Sequence, residues 1–305
     1  MLSGCKVGLL LSGLAALLIQ VASNSAAMAA KPKSDVELPT VVSINLCADQ
    51  LVMLLADDKQ ILSLSRLSHE PGGSIFHEKA RLFPVNSGAA EAVIELAPDF
   101  VLVGPYTSRY TTAMLRELGV QVEVLPIAGS MEAMLENVTT IAALLNKHDA
   151  GERIVDGIKR RLADIKKQSG DTPKHSLTAL VYDANGYTSG EETIRGHLLE
   201  LAGWSNAAST AGISGYGTLS LETLIRLSPD ALIHSPYNKN GYSRAQSLTQ
   251  HPAIRASGFN PLVIPIAANK TICAGPWSMD VVEQLIAELE ELAIDSTQEK
   301  PINRR

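Results

Sequence analysis

The chain has 305 residues, of which 46% are hydrophobic and 19% charged, and its net charge is −6. That length holds one large or two ordinary domains, and the composition is that of a globular chain rather than a disordered one. The negative charge excludes a general attraction to nucleic acid, and no stretch beyond the N-terminus is apolar enough to span a membrane.

The first residues read as a targeting segment. Lys6 supplies a positive start, residues 7–21 an apolar core, and Ala27-Met28-Ala29 a small-residue cleavage site. Residues 1–29 are therefore expected to be a signal peptide, with the mature chain starting near Ala30. Cys5 precedes the apolar core, so it is not placed as a lipid-attachment cysteine. Two cysteines remain, Cys47 and Cys273. An oxidising compartment permits a disulfide, but spacing alone cannot show that they meet, and buried or cleft-lining thiols are the favoured reading.

Strand-like and helix-like stretches then alternate. Residues 41–44 read as a strand, 45–49 as a turn, 50–55 as a helix and 61–65 as a strand. Residues 66–73 read as a loop, broken by Pro71-Gly72-Gly73, and 84–88 as a short strand or turn. Helices follow at 91–96, 109–118 and 131–146, with strands at 100–103 and 121–125 between them. Residues 149–168 form one uninterrupted amphipathic pattern. Ile154, Val155, Ile158, Leu162 and Ile165 share a face, Asp149 and Glu152 suit an N-terminal capping box, and Lys166 and Lys167 suit the C-terminal end of the dipole. Beyond it come a strand at 177–182, a turn-rich loop at 183–190, a helix at 194–202 and an irregular loop at 207–217. A helix at 221–227, a strand at 231–234, a helix at 245–250, a strand at 262–265 and a closing helix at 279–292 complete the chain. Such alternation predicts largely parallel sheets with helices on both faces.

Residues 91–106, EAVIELAPDFVLVGPY, align without a gap on residues 222–237, ETLIRLSPDALIHSPY. Glu91 falls on Glu222, Pro98-Asp99 on Pro229-Asp230, and Pro105-Tyr106 on Pro236-Tyr237. An internal repeat of this length, on either side of a long helix, predicts two lobes of like construction. The expected organisation is a lobe over residues 30–148, a linker helix over 149–168, a second lobe over 169–295 and a polar tail over 296–305. The predicted fold class is α/β: two Rossmann-like lobes with mainly parallel sheets, joined by a single long α-helix.

Aromatic residues are only 4% of the chain, yet Tyr106, Tyr110, Tyr187, Tyr216, Tyr237, Tyr242 and Trp277 all fall in or beside loops that follow strands. Open α/β sheets bind ligands beyond the carboxyl ends of their strands, and flat side chains with polar tips suit a bulky ring-bearing ligand. Arg66, Arg109 and Arg244 stand in or near the same loops and suit carboxylate or phosphate groups, although each alone reads more readily as a solvated surface charge. His69, His77 and His234 match no compact metal signature, and no metal site is expected. The chain has no G-x-S-x-G elbow, no Walker A and no H-E-x-x-H.

The Asn45-Leu-Cys-Ala-Asp49 opening after the first strand, Glu91 with Pro98-Asp99, the linker helix, and Glu222 with Pro229-Asp230 together resemble one family. It is the periplasmic substrate-binding proteins of iron-siderophore and cobalamin ABC importers, in the clade with a helical backbone between lobes. The resemblance covers residues 41–292. It implies a periplasmic receptor that binds a metal chelate between the lobes and delivers it to permease subunits in the inner membrane. It further implies that Glu91 and Glu222 dock on the permease, and that a stiff helix limits lobe closure. A corrinoid such as cobalamin is ranked before a ferric siderophore or haem, because the aromatic loops favour a ring and few cations cluster with them. The expected ligand set is Tyr106, Tyr110, Arg66, Tyr187, Tyr216, Tyr237, Tyr242 and Trp277. No cofactor, no nucleic acid and a monomer are expected. The alternative is an exported chelatase-like enzyme acting on a tetrapyrrole in the same cleft, for which Asp183 and Asp49 are the nearest carboxylates.

Overall fold

The computed structural model describes residues 38–169, 177–237, 251–252 and 258–298. The targeting segment, the expected helix over 245–250, Tyr242 and Arg244 lie outside the described residues.

The first lobe runs β1 (Val41–Ser43), α1 (Leu46–Leu55), β2 (Ile61–Ser65), α2 (His77–Ala80), β3 (Val85–Asn86), α3 (Ala90–Ile94), β4 (Phe100–Val103), α4 (Arg109–Glu117), β5 (Gln121–Val124) and α5 (Met131–Leu144). Its sheet has the order β3-β2-β1-β4-β5, and every pair is parallel. Successive residues of a strand point to opposite faces, and here they feed two cores. Val41, Phe100 and Leu102 pack with α1 and α5, whereas Val42, Val101 and Val103 pack with α3 and α4. The sheet is thus covered on both faces, which is why its strand β4, FVLV, is apolar and buried throughout.

The long helix α6 (His148–Ser169) follows, 22 residues or about 33 Å of axis. It starts one residue earlier than the sequence suggests, so Asp149 stands in its first turn rather than at a cap. Asn146, in the left-handed region at φ 54°, ends the preceding helix and leaves no room for a longer turn. The five predicted apolar residues of this helix all pack into the main core. Near its start it lies against α5: a Cβ on Gly151 would sit 2.5 Å from the Ala142 methyl, so only glycine admits the approach.

The second lobe runs β6 (Thr178–Val181), β7 (Tyr187–Ser189), α7 (Ile194–Leu201), β8 (Ser205–Asn206), α8 (Ala207–Thr210), β9 (Tyr216–Thr218), α9 (Leu221–Leu227), β10 (Ala231–His234), β11 (Leu262–Pro265) and α10 (Ser278–Gln298). The main sheet has the order β11-β10-β6-β8 and is again parallel. Near its C-terminal half α6 reaches α10, where Arg161 bonds Asp280 at 3.1 Å and Glu283 at 2.8 Å. The closing helix continues to Gln298, beyond the end that the sequence suggests.

The sequence repeat is a structural repeat. Asp99 accepts from the Thr40 amide at 2.7 Å and the Thr40 hydroxyl at 2.8 Å. Asp230 does the same for Thr178, at 2.7 and 2.9 Å. The aligned residues Ala97 and Ser228 share a left-handed φ, 46° and 45°. Each lobe thus pins its first strand to the strand beside it with the same Pro-Asp turn.

Two parts of the second lobe differ from the sequence reading. Residues 187–189 and 216–218, expected as irregular loops, pair as an antiparallel ribbon of β7 and β9. Three-residue strands rich in Gly, Ser and Thr carry no hydrophobic alternation for a sequence pattern to register. Cys47 and Cys273, expected as thiols, form a disulfide with a Cα separation of 5.2 Å. The fold brings the start of α1 against the segment before α10, across a sequence separation of 226 residues. Closing so long a loop in the unfolded chain corresponds to about 5 kcal/mol of stabilisation in the chain-entropy model.

Candidate ligand cleft

The strand ends of the first lobe frame a hollow of about 610 Å³ lined by Ile44, Ser65, Arg66, Leu67, Val85 and Asn86, among others. These residues close or follow β1, β2 and β3, so the hollow sits where open α/β sheets take ligands. Arg66 is exposed at its wall. Behind it the Ser65 amide donates to Asp49 Oδ1 at 3.2 Å, and the Ser65 hydroxyl bonds the other carboxylate oxygen. Asp49 is fully buried, and that burial pushes its carboxyl up to about 7 against the lowering bonds from Ser43 and Ser65. It is a positioning group for the end of β2, not a group that reaches the hollow.

In the second lobe, Asp183 stands two residues beyond β6 and gathers three partners. Arg195, on the first turn of α7, forms an ion pair with it. The Ser235 amide donates to Asp183 Oδ1 at 2.7 Å, and His234 Nδ1 lies 3.5 Å from the same oxygen. Burial pushes the Asp183 carboxyl up, but His234, Arg195 and Ser235 together outweigh it and hold the group below the usual carboxylate range. The result is a buried, charge-balanced wall.

Over this wall the rings of Tyr187 and Tyr216 stack, with centroids 5.7 Å apart and planes 19° from parallel. The ribbon of β7 and β9 puts Tyr187 opposite Thr218 and Tyr216 opposite Ser189, so the rings meet diagonally across it. Burial raises both phenols above their usual value, while Arg195 pulls them down. Tyr106, from the loop after β4 of the other lobe, is near enough to raise both as well. Two of the predicted tyrosines therefore stack on each other, and a third, Tyr106, is presented by the other lobe. Tyr106 is 90% exposed.

The remaining predicted residues divide. Tyr110, on the first turn of α4, is 75% exposed, and Tyr237 is partly exposed beside Gly72. Trp277 does not join them. It is only 7% exposed, its indole N–H donates to the Cys273 carbonyl at 3.1 Å, and its ring meets Phe76 edge-on at 5.7 Å. Its place after a turn made it look like a loop residue, but the disulfide beside it draws it into the core. Arg109 is exposed at the start of α4. His77 Nδ1 lies 3.1 Å from the Ser74 carbonyl, and among the described residues no group of three His, Cys, Asp or Glu is placed to hold a metal ion. Arg195 is the residue that sequence reasoning missed. Its only signal was its position, in the first turn of the helix that follows the Asp183 loop.

Glu91 and Glu222 occupy the first turns of α3 and α9, and both are exposed. The Glu222 amide and the Ser220 hydroxyl hold the Glu222 carboxyl below its usual range, so it is charged at neutral pH.

Residues 41–257 match the family described as periplasmic binding protein. The chain belongs to that family. This periplasmic binding protein is 30% identical over 206 residues to a cobalamin-binding protein of Halobacterium salinarum, a match covering 65% of this chain and 54% of the relative. It is 22% identical over 146 residues to the Fe(3+)-citrate-binding protein YfmC of Bacillus subtilis, covering 48% of this chain and 46% of that one. It thus spans about half the length of the curated relatives it matches. Among solved structures it is similar to the periplasmic vitamin B12 binding protein BtuF of Vibrio cholerae, with a TM-score of 0.65, 16% identity, and coverage of 84% of this chain and 98% of the other. The periplasmic haem-binding protein HutB of Vibrio cholerae gives a TM-score of 0.68 at 18% identity, covering 82% and 98%. These likenesses show the two-lobed α/β fold. The family is one of binding proteins, which sets the chelatase-like alternative aside.

Proposed function

We propose that this periplasmic binding protein captures a metal chelate in the cleft between its lobes and delivers it to the permease subunits of an ABC importer. A corrinoid such as cobalamin ranks first, ahead of haem or a ferric siderophore. The carrying observation is the stacked pair of Tyr187 and Tyr216 beside the Asp183–Arg195 ion pair, with Tyr106 presented by the other lobe. Flat neutral rings above a charge-balanced wall suit a large ring ligand fringed by amides. A polyanionic siderophore would instead call for unpaired cations, and Arg195 is already neutralised by Asp183. The cobalamin-binding relative agrees with that ranking. Arg66, beside the hollow of the first lobe, is the group placed to meet an anionic appendage such as a phosphate.

In this reading the N-terminal segment is removed near Ala29 on export, and the mature receptor works as a monomer. Glu91 and Glu222 are the docking knobs. They hold equivalent positions in the repeat, so a two-fold symmetric permease meets the same charge twice.

Alanine at Tyr106, Tyr187 or Tyr216 is expected to weaken cyanocobalamin binding by about 1–3 kcal/mol each, the usual worth of a stacked aromatic. Trp277→Phe, which keeps the core filled, is expected to leave affinity unchanged. Fluorescence titration of the four variants checks this. Unaltered affinity in all three tyrosine variants would remove the cleft from the reading.

A further inference from the structure

Outside the tyrosine cluster, one set of contacts between lobes involves the segment linking β2 to β3. Asn269 donates to the Pro71 carbonyl at 3.0 Å. Gly72 is so close to the chain after β10 that a Cβ there would sit 2.1 Å from the Tyr237 carbonyl oxygen. Phe76 receives the edge of Trp277 at 5.7 Å. Beside them Cys47, on the first turn of α1, is covalently joined to Cys273. Every contact pairs an element of the first lobe with one that follows β10 or β11 in the second.

Strand order places these contacts. In the first sheet β2 and β3 lie on one side of β1, and β4 lies on the other. In the second sheet β10 and β11 lie on one side of β6, and β8 on the other. The disulfide and its neighbours therefore join the β2–β3 side to the β10–β11 side. Tyr106 follows β4, on the other side of the first sheet, and Tyr187 and Tyr216 belong to the ribbon beside β6. On that side the lobes also approach at Gly129, where a Cβ would sit 2.5 Å from the Glu192 carbonyl oxygen, and at Glu132, 3.6 Å from His197 Nε2, but no covalent bond joins them there among the described residues.

We propose that Cys47–Cys273 is a covalent clasp between the lobes, holding residues 71–76 against residues 269–277, so that the cleft has one fixed side and one side able to adjust. Helix α6 and the core shared by both lobes already tie the halves together at the back. The clasp adds a tether near the strand ends, where ligand-driven rotation would otherwise be greatest. It also makes the rigid form conditional on export, because the pair oxidises in an oxidising compartment and stays reduced in the cytoplasm. Ligand capture then falls to the loops bearing the tyrosines. That last step rests on the receptor reading; the clasp does not.

The test needs no ligand. Hydrogen–deuterium exchange is followed by mass spectrometry for the oxidised protein, for C47S/C273S, and for wild type reduced by a phosphine and held at 10 °C in case the double variant fails to fold. Without the bond, peptides covering 69–77 and 266–277 are expected to exchange at least tenfold faster, with β1, β4, β6 and β10 unchanged. Equal exchange in those two segments with and without the bond would overturn the clasp. So would a uniform rise across the whole chain, which would make the bond a general staple rather than a local hold.

Discussion

Arg195→Met destabilises the protein by about 3–5 kcal/mol, the usual consequence of stripping one partner from a buried ion pair. Asp183 and Arg195 have side chains only 12% and 13% exposed, so the stranded carboxylate has little water to turn to. The Ser235 amide still bonds it, which keeps the loss toward the lower end. The double variant D183N/R195M recovers much of the loss, since it removes the uncompensated charge as well as the pair. The pH dependence follows from the direction of the Asp183 shift. Its folded value lies below the 3.8 of the free group. The stabilisation it brings is therefore present above that value and is lost as pH falls through the folded value. The gap between wild type and Arg195→Met should accordingly begin to narrow as pH drops below 3.8 and close only once pH has fallen through the lower folded value. Urea titrations at pH 7 and at a series of pH values downward from 4 measure both. A loss under 1 kcal/mol at pH 7 would rank the pair with solvent-exposed bridges and take away the rigid base of the tyrosine platform.

Under the proposed docking role, reversing both charges in E91K/E222K is expected to abolish importer-dependent uptake and to leave ligand affinity as it was. The two carboxylates stand exposed on the first turns of matching helices, outside the tyrosine cluster, so their loss is not expected to be felt in the cleft. Like charges set face to face across an interface cost several kcal/mol, and here the penalty is applied on each lobe. Each single reversal leaves one correct contact and is expected to slow uptake without ending it. Uptake of labelled chelate in cells, paired with calorimetry on the purified variants, separates delivery from capture. Normal uptake by the double variant would remove these residues from the docking surface, and lost affinity would move them into the binding site.

The features that could be read from the sequence are those written locally. The strands at 61–65, 100–103, 231–234 and 262–265 have the bounds expected, because each is a short apolar run ended by a turn signal. The repeat was visible because Pro98-Asp99 and Pro229-Asp230 perform the same task, tying Thr40 and Thr178. Long-range features were not legible. Nothing near Cys47 in the sequence indicates Cys273, and nothing near Trp277 indicates Phe76. Arg195 looked like an ordinary helix residue until the fold put Asp183 beneath it. The ribbon that carries Tyr187 and Tyr216 was hidden for another reason: its six residues are held by their pairing and by close backbone approaches, not by an apolar pattern. Thus the candidate site was half legible. Its aromatic members announce themselves by type and by position after strands, whereas the ion pair that orders them is a product of tertiary packing.

The central claim is that the cleft binds a metal chelate. Calorimetric titration of the mature protein, starting at about residue 30, with cyanocobalamin, haem and a ferric hydroxamate siderophore tests it most directly. The account predicts saturable one-to-one binding, with cyanocobalamin tightest and a Kd below about 1 µM, or at least 8 kcal/mol of binding free energy. Binding of haem or the siderophore in preference would keep the receptor and change its cargo. Absence of saturable heat with all three would contradict the claim.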